Sequence, residues 1–466
     1  AAGAAAAHTG GRAPAFAQGA ASAASGPRAH AGAQAAPAAV PPSDAQTLLA
    51  AGRDWLATNR DPALGAERAL CFVARESVQR LQQALSAEAP AESIAIAVAG
   101  GQYPKGLVDA VPARAGLERL EKRLDGPGAP DLVLFVGDQI VADASAGLVD
   151  PRRRDERYDR PHVDLLRLEP LRRVLVRCRS LMMLDDHELV ARWEPGPTWP
   201  QQPPSPFARE MRRWLRTGLP AYWKYQRLRP LQRPVDPQRP PWADTALVHH
   251  GHPVYCVDTR SARSARGSTV AAAQQQILQD GQWRDLEAWL LAQGERPKFV
   301  VSASPLLPLR NDRVDRAAIG AHCDGWEAYP HSQARLLEFI ARNGLHRTVF
   351  LSAGDQLAVA CRARLQAPGA ARPVELVALQ APALYAPYSF ADGSAADWAD
   401  LPFTTAGGVA VSTETRIGHS GDGFMALRLE RAAGTWWLDL EFPDGCGGTQ
   451  HERIELGPGL GRVESS

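Results

Sequence analysis

Apolar residues recur along this chain in two rhythms. Short unbroken runs at residues 94–98 (IAIAV), 132–136 (LVLFV), 174–184, 254–257, 299–302 and 349–351 have the length and side-chain types of strands buried on both faces. Between them the spacing turns helical. Leu117, Leu120 and Leu124 share one face. So do Trp283, Leu286, Trp289 and Leu290 within residues 276–291, and Leu336, Leu337, Phe339 and Ile340 before the C-cap pair Asn343-Gly344. Helix, strand and polar loop in repetition predict an α/β fold. Near the end the pattern becomes alternation, in Met425, Leu427 and Leu429 and again in Trp436, Leu438, Leu440 and Phe442. Gly434 between them predicts a hairpin.

The flanks read differently. Residues 1–42 are Ala, Gly and Pro with almost no large apolar side chain, so they cannot offset their ordering entropy and are expected to be a disordered tail. Residues 43–90 are expected to form a helical adapter, with Ser43 or Asp44 as N-cap and Leu70, Ala74, Val78, Leu81 and Leu85 on one helix face. The main domain then spans 91–450, and 451–466 reads as a C-terminal tail. Within the domain, residues 195–242 are dense in Pro and Arg and carry Met211, Trp214, Leu215, Tyr222, Trp223, Tyr225 and Trp242. They predict an insertion that packs over one side of a site.

Composition narrows the function classes. The 466 residues carry 52 basic and 51 acidic side chains, a net charge of +1. That gives no electrostatic footprint for nucleic acid or a membrane surface. No apolar run reaches transmembrane length. The six cysteines are scattered without a CxxC pair, so neither a disulfide framework nor a zinc ribbon is suggested, and Cys323 and Cys361 are expected as buried thiols. No basic stretch followed by an apolar one reads as a leader, and the compartment stays open.

The chemistry sits where the apolar runs stop. Three of them run into aspartates: Asp138 in GDQI, Asp185 and Asp186 in DDHE (residues 185–188), and Asp355 in GDQL. Open α/β sheets carry their chemistry at the carboxyl ends of strands. Carboxylates that converge repel one another, and a metal centre would give them a reason to do so. The plainer reading, a polar turn after each strand, accounts more easily for one aspartate than for three. His187, beside a ligand aspartate, is placed to act as a general acid or to stabilise a transition state. His249, His250 and His252 read as a metal cluster or, more simply, as an exposed turn. Arg263 and Arg266 read as lining a phosphate path or as a solvated helix start.

Taken in order, the pieces GGQYPKGLVD, APDLVLFVGDQIVADASAGLVDP, MMLDDHELVARWEP, CVDTRSARSARG, CDGWEAYPHSQARLLEFI, LSAGDQL, ALYAPYSFAD and HSGDGF resemble the PhoD-like, alkaline phosphatase D family of metallophosphoesterases over most of residues 95–445. The resemblance implies a four-layer sandwich, with two packed mixed β-sheets flanked by helices. It also implies hydrolysis of phosphoesters with divalent or trivalent metal ions, calcium and iron among them, and export for some members. Carried over by position, Asp138, Asp185, Asp186 and Asp355 are the implied metal ligands, with Asp185 either a ligand or a group behind one. His187, with Asp186, is the implied catalytic centre. Arg260 of DTR is implied more as a buttressing ion pair than in catalysis; Arg192, at a position that departs from the family, would place a cation where a metal or phosphate sits, and both are expected on the substrate side.

Three positions depart from the family pattern. Gly101 stands where a cysteine is expected, Ala191-Arg192-Trp193 where an asparagine is expected, and Gln356-Leu357 where a histidine closes the GD motif. Two functions follow as expectations. One is a metal-dependent phosphoester hydrolase with an altered centre, acting on a small phosphoester. The other is a phosphatase-like binding protein that keeps the fold and an anionic ligand and has lost the chemistry.

Overall fold

The computed structural model describes residues 91–103, 110–142, 154–190, 193–194, 218–222, 224–226, 245–264, 274–308, 324–354, 357–386, 400, 402–417, 422–443 and 448–457. The expected tail at 1–42 and the adapter at 43–90 lie outside these residues, as does most of the insertion at 195–242.

Two mixed sheets form the frame. In the first, β1 (Ser93–Ala99), β2 (Leu132–Phe135) and β3 (Arg179–Met182) run parallel, and β12 (Met425–Ala432), β13 (Thr435–Pro443) and β14 (Thr449–Leu456) continue it antiparallel, in the order β14-β13-β12-β1-β2-β3. The second has eight strands in the order β10-β11-β8-β9-β7-β6-β5-β4. Here β5 (His252–Val257), β6 (Lys298–Ser302), β7 (Thr348–Ser352) and β9 (Val374–Gln380) are parallel. β4 (Thr245–His249), β8 (Val359–Gln366), β10 (Phe403–Thr404) and β11 (Ala410–Ile417) complete it antiparallel.

The period-2 geometry of a strand sends alternate side chains to opposite faces. Ile94, Ile96 and Val98 of β1 therefore meet Phe299 and Val301 of β6 and Val349 and Leu351 of β7 in one core between the sheets. The neighbouring positions face outward. Ala97, Val133 and Phe135 pack under α1 (Pro112–Arg123), α2 (Arg154–Leu166) and α3 (Glu169–Arg177), through Leu117, Leu120, Leu165, Leu171 and Val174. On the other side Val300 and Phe350 meet α4 (Asp280–Gln293) and α5 (Pro330–Arg342), through Trp283, Leu286, Leu290, Leu336 and Ile340. The result is a helix–sheet–sheet–helix sandwich, the architecture expected. Each buried leucine or isoleucine contributes roughly 1.5–3 kcal/mol to it.

Several expectations are corrected. Residues 174–184 are not one strand. Leu171 and Val174 are buried at helical spacing, Pro170 sits in the first turn of α3 where its missing N–H costs no bond, and β3 begins only after the extended Cys178. Helix α4 starts at Asp280, not 276: Gln279 is extended (ψ 166°), and before it the N–H groups of Gln276 and Ile277 are held by the hydroxyls of Ser264 (2.9 Å) and Ser332 (3.1 Å). The segment from 451 does not begin as a tail: β14 runs to Leu456 and buries Ile454 and Leu456 in the inter-sheet core.

The histidine run does form a turn, with His250 and Gly251 both at positive φ (48° and 75°). Its flanking histidines, however, are buried. His249 meets the Asp131 carbonyl at 2.9 Å and His252 the Ala91 carbonyl at 3.0 Å, so they tie the hairpin to the start of the first sheet. Burial lowers His249 to about 4, which keeps it neutral.

Candidate metal centre

The carboxyl ends of β1, β2 and β3 meet those of β5, β6 and β7. Gly100 after β1 already lies against Ala353 after β7 and the carbonyl of Pro382. The chain after β2 turns sharply. Gly137 has φ +89° and Asp138 φ +58°, so two successive residues are left-handed. A side chain at Gly137 is doubly excluded, because its Cβ would stand 2.4 Å from Cβ of Asp185.

This turn aims successive N–H groups at one point, and Glu188 fills it. The carboxylate accepts from the backbone of Asp138 (3.1 Å), Gln139 (2.8 Å) and Asp185 (2.8 Å), and from Nε2 of Gln226 (3.1 Å) in the insertion. Glu188 is fully buried, and burial raises its pKa against the pull of those four donors. One side chain thus clamps the loops after β2 and β3 to each other.

With the loops so held, Asp138, Asp186 and His187 each offer a ligand atom within 4.8 Å of the others. The His187 N–H donates to Oδ1 of Asp138 at 3.3 Å, and Nε2 of its ring stands 3.3 Å from the Tyr103 hydroxyl. The two rings meet edge to face at 5.7 Å. Asp138 is buried, and among the described residues no arginine or lysine forms an ion pair with it. Burial, then Asp185, pushes its pKa well above the ordinary carboxylate value. Two carboxylates, one of them buried short of positive charge, form a donor pair that fits a hard or borderline cation, and the His187 imidazole stands beside them.

A second group, Asp185, Asp186 and Asp324, also brings its oxygens within 4.8 Å. It differs in already holding cations. Arg260, whose side chain is 2% exposed, donates from Nε to Asp185 and from Nη2 to Asp324, and its Nη2 lies 3.5 Å from Asp186. Arg263 donates to the other Asp324 oxygen at 2.6 Å. Asp258 shapes the loop that carries both arginines by accepting the N–H groups of Arg260 and Ser261, each at 2.9 Å. Burial pushes Asp185 up to about 7, against the opposing pull of Arg260.

Of the residues expected at the site, Asp138, Asp185, Asp186, His187 and Arg260 are brought together. Arg260 is turned into the protein, engaged by carboxylates and not by solvent. Asp355, Arg192, Arg266 and Cys323 lie outside the described residues. Arg263 is buried on Asp324 and Ser304, so it is neither a solvated helix start nor an open phosphate path. Gly101 stands beside Asp138, where an added Cβ would be 3.2 Å from the Asp138 Cβ, so this position does face the centre and brings it no donor. Leu357 is buried and apolar. The described piece of the insertion is packed as expected, with Leu219 and Tyr222 against Leu184, Leu189 and Trp193.

Glu188 was visible in DDHE as a polar residue without a role, and Asp324, Tyr103 and Gln226 carried no signal of one. Their partners are 84, 64 and 38 positions away in the chain for Tyr103, Asp324 and Gln226, which no local pattern reveals.

A family model of PhoD-like phosphatases matches residues 97–380. Among solved structures, that of PhoD superposes with a TM-score of 0.53 at 13% sequence identity, covering 81% of this chain and 73% of the other. No curated protein matches the chain significantly.

Proposed function

The chain belongs to the PhoD-like phosphatase family, and on that premise we propose that it is a metal-dependent phosphoester hydrolase acting at Asp138, Asp186 and His187. The convergence of these three groups at the ends of β2 and β3 carries the reading. Asp138 and Asp186 would hold the ion, with calcium and iron the ions the family implies. A bound ion supplies Lewis-acid polarisation of a phosphoryl oxygen and activation of water.

The rest is the work of the chain's own side chains. Tyr103 orients the imidazole through its hydroxyl, and His187 passes a proton to the leaving oxygen. Glu188 keeps the two loops in register so that neither aspartate drifts. A small phosphoester is the substrate this site suits.

The test is turnover of p-nitrophenyl phosphate and bis-p-nitrophenyl phosphate by protein loaded with calcium, iron or manganese. His187→Ala should lower the rate by about 100-fold or more, and Asp138→Asn should abolish it. Equal rates in wild type and both variants would exclude the reading. The absence of donors at Gly101 and Leu357 favours one other reading, a binding protein without turnover. That reading predicts no hydrolysis with any ion.

A further inference from the structure

We infer that Arg260 is the resident cation of the second carboxylate group: it occupies the charge position of a further metal ion, and Asp185, Asp186 and Asp324 take no ion while it is in place. The inference goes beyond the function proposed above and stands whether or not the Asp138 group is loaded.

The geometry argues for it directly. Three carboxylates from two separate elements have oxygens within 4.8 Å of one another, two of them buried. Such a group must be neutralised. The Arg260 guanidinium reaches all three, through Nε and Nη2. Its remaining nitrogen, Nη1, is buried with no hydrogen-bond partner, so the side chain is seated for its ion pairs at the expense of one donor. Arg263 takes the other oxygen of Asp324 and is itself fixed by the Thr259 carbonyl, by Ser304 and by the Tyr329 ring 5.3 Å away.

An incoming ion would have to displace a guanidinium that cannot lose its proton. Once displaced, that guanidinium would be a buried charge without a partner, which is strongly unfavourable. Asp186 belongs to both acidic groups, but among the described residues Asp138 forms no ion pair with an arginine or lysine, and this separates it from Asp185 and Asp324, which Arg260 holds.

The experiment counts Mn²⁺ per chain in the full-length protein after removal of free ion. Arg260→Ala should hold one equivalent more than wild type, whatever number the wild type holds. Adding Asp324→Asn to that variant should remove the gain. Asp324→Asn alone should leave the wild-type count unchanged. A folded Arg260→Ala with the wild-type count overturns the inference, and so does an Asp324→Asn variant that loses an equivalent. Should Arg260→Ala fold only when Mn²⁺ is supplied, as read by near-ultraviolet circular dichroism, the ion has replaced the guanidinium and the inference stands. Should it fold under neither condition, the single Asp324→Asn count decides. The number bound by wild type and its loss in Asp138→Asn report separately on the proposed function.

Discussion

At the scale of single residues, the centre depends on side chains that never touch a substrate. Glu188 accepts from four backbone N–H groups in two loops, and its neighbours Asp185 and Asp138 are held by it. Glu188→Ala strands those donors in the interior, and unsatisfied buried groups cost about 1–3 kcal/mol each. The variant should be destabilised by about 3 kcal/mol or more in urea unfolding, with hydrolysis lost in step. A second residue sets an acid limit. Burial lowers His162 to about 3 from an ordinary 6.5. The unfolded chain takes up that proton below about pH 6.5 and the folded chain does not, so stability falls as pH drops through this window. In His162→Phe the loss between about pH 7.5 and pH 5 should be smaller by about 2 kcal/mol, measured by chemical unfolding at each pH.

At the scale of elements, the site is a set of strand ends, and this much was legible in the sequence. LVLFV stops at glycine and acid and IAIAV runs into a glycine pair, and they are β2 and β1. Residues 174–184 were less legible because one apolar stretch holds the end of α3 and all of β3. Only the partners of Leu171 and Val174 under the sheet show where the helix stops. The left-handed turn after β2 was not legible either, since aspartate tolerates a positive φ but adopts it in only a minority of cases, so Gly137-Asp138 alone does not specify it. Gly137 is required there twice over, by φ and by the nearness of Asp185. Gly137→Ala should cost at least about 2 kcal/mol in thermal or chemical unfolding and lower the activity with it. Gly101→Ala, with 3.2 Å to the nearest atom and no positive φ, should be milder in both.

At the scale of the whole molecule, the two sheets share one core, and distant parts of the chain build it together. β12 and β13 follow the site motifs by dozens of residues, yet β12 pairs with β1 along six residues. The alternation of Met425, Leu427 and Leu429 made this hairpin readable, whereas β14 was missed because six of its eight residues are polar or charged and only Ile454 and Leu456 point inward. Removing residues 449–466 should therefore cost on the order of 4 kcal/mol through those two side chains alone, and leave the β13 edge open to aggregation. A soluble truncation of unchanged melting temperature would contradict this arrangement. We propose that Asp138, Asp186 and His187 form a metal-dependent hydrolytic centre. The most direct test is the rate of bis-p-nitrophenyl phosphate hydrolysis after chelation and then after metal is restored. Wild type should fall silent and recover, while Asp138→Asn should stay silent throughout. A chelated wild type that hydrolyses as fast as the reloaded protein would contradict it.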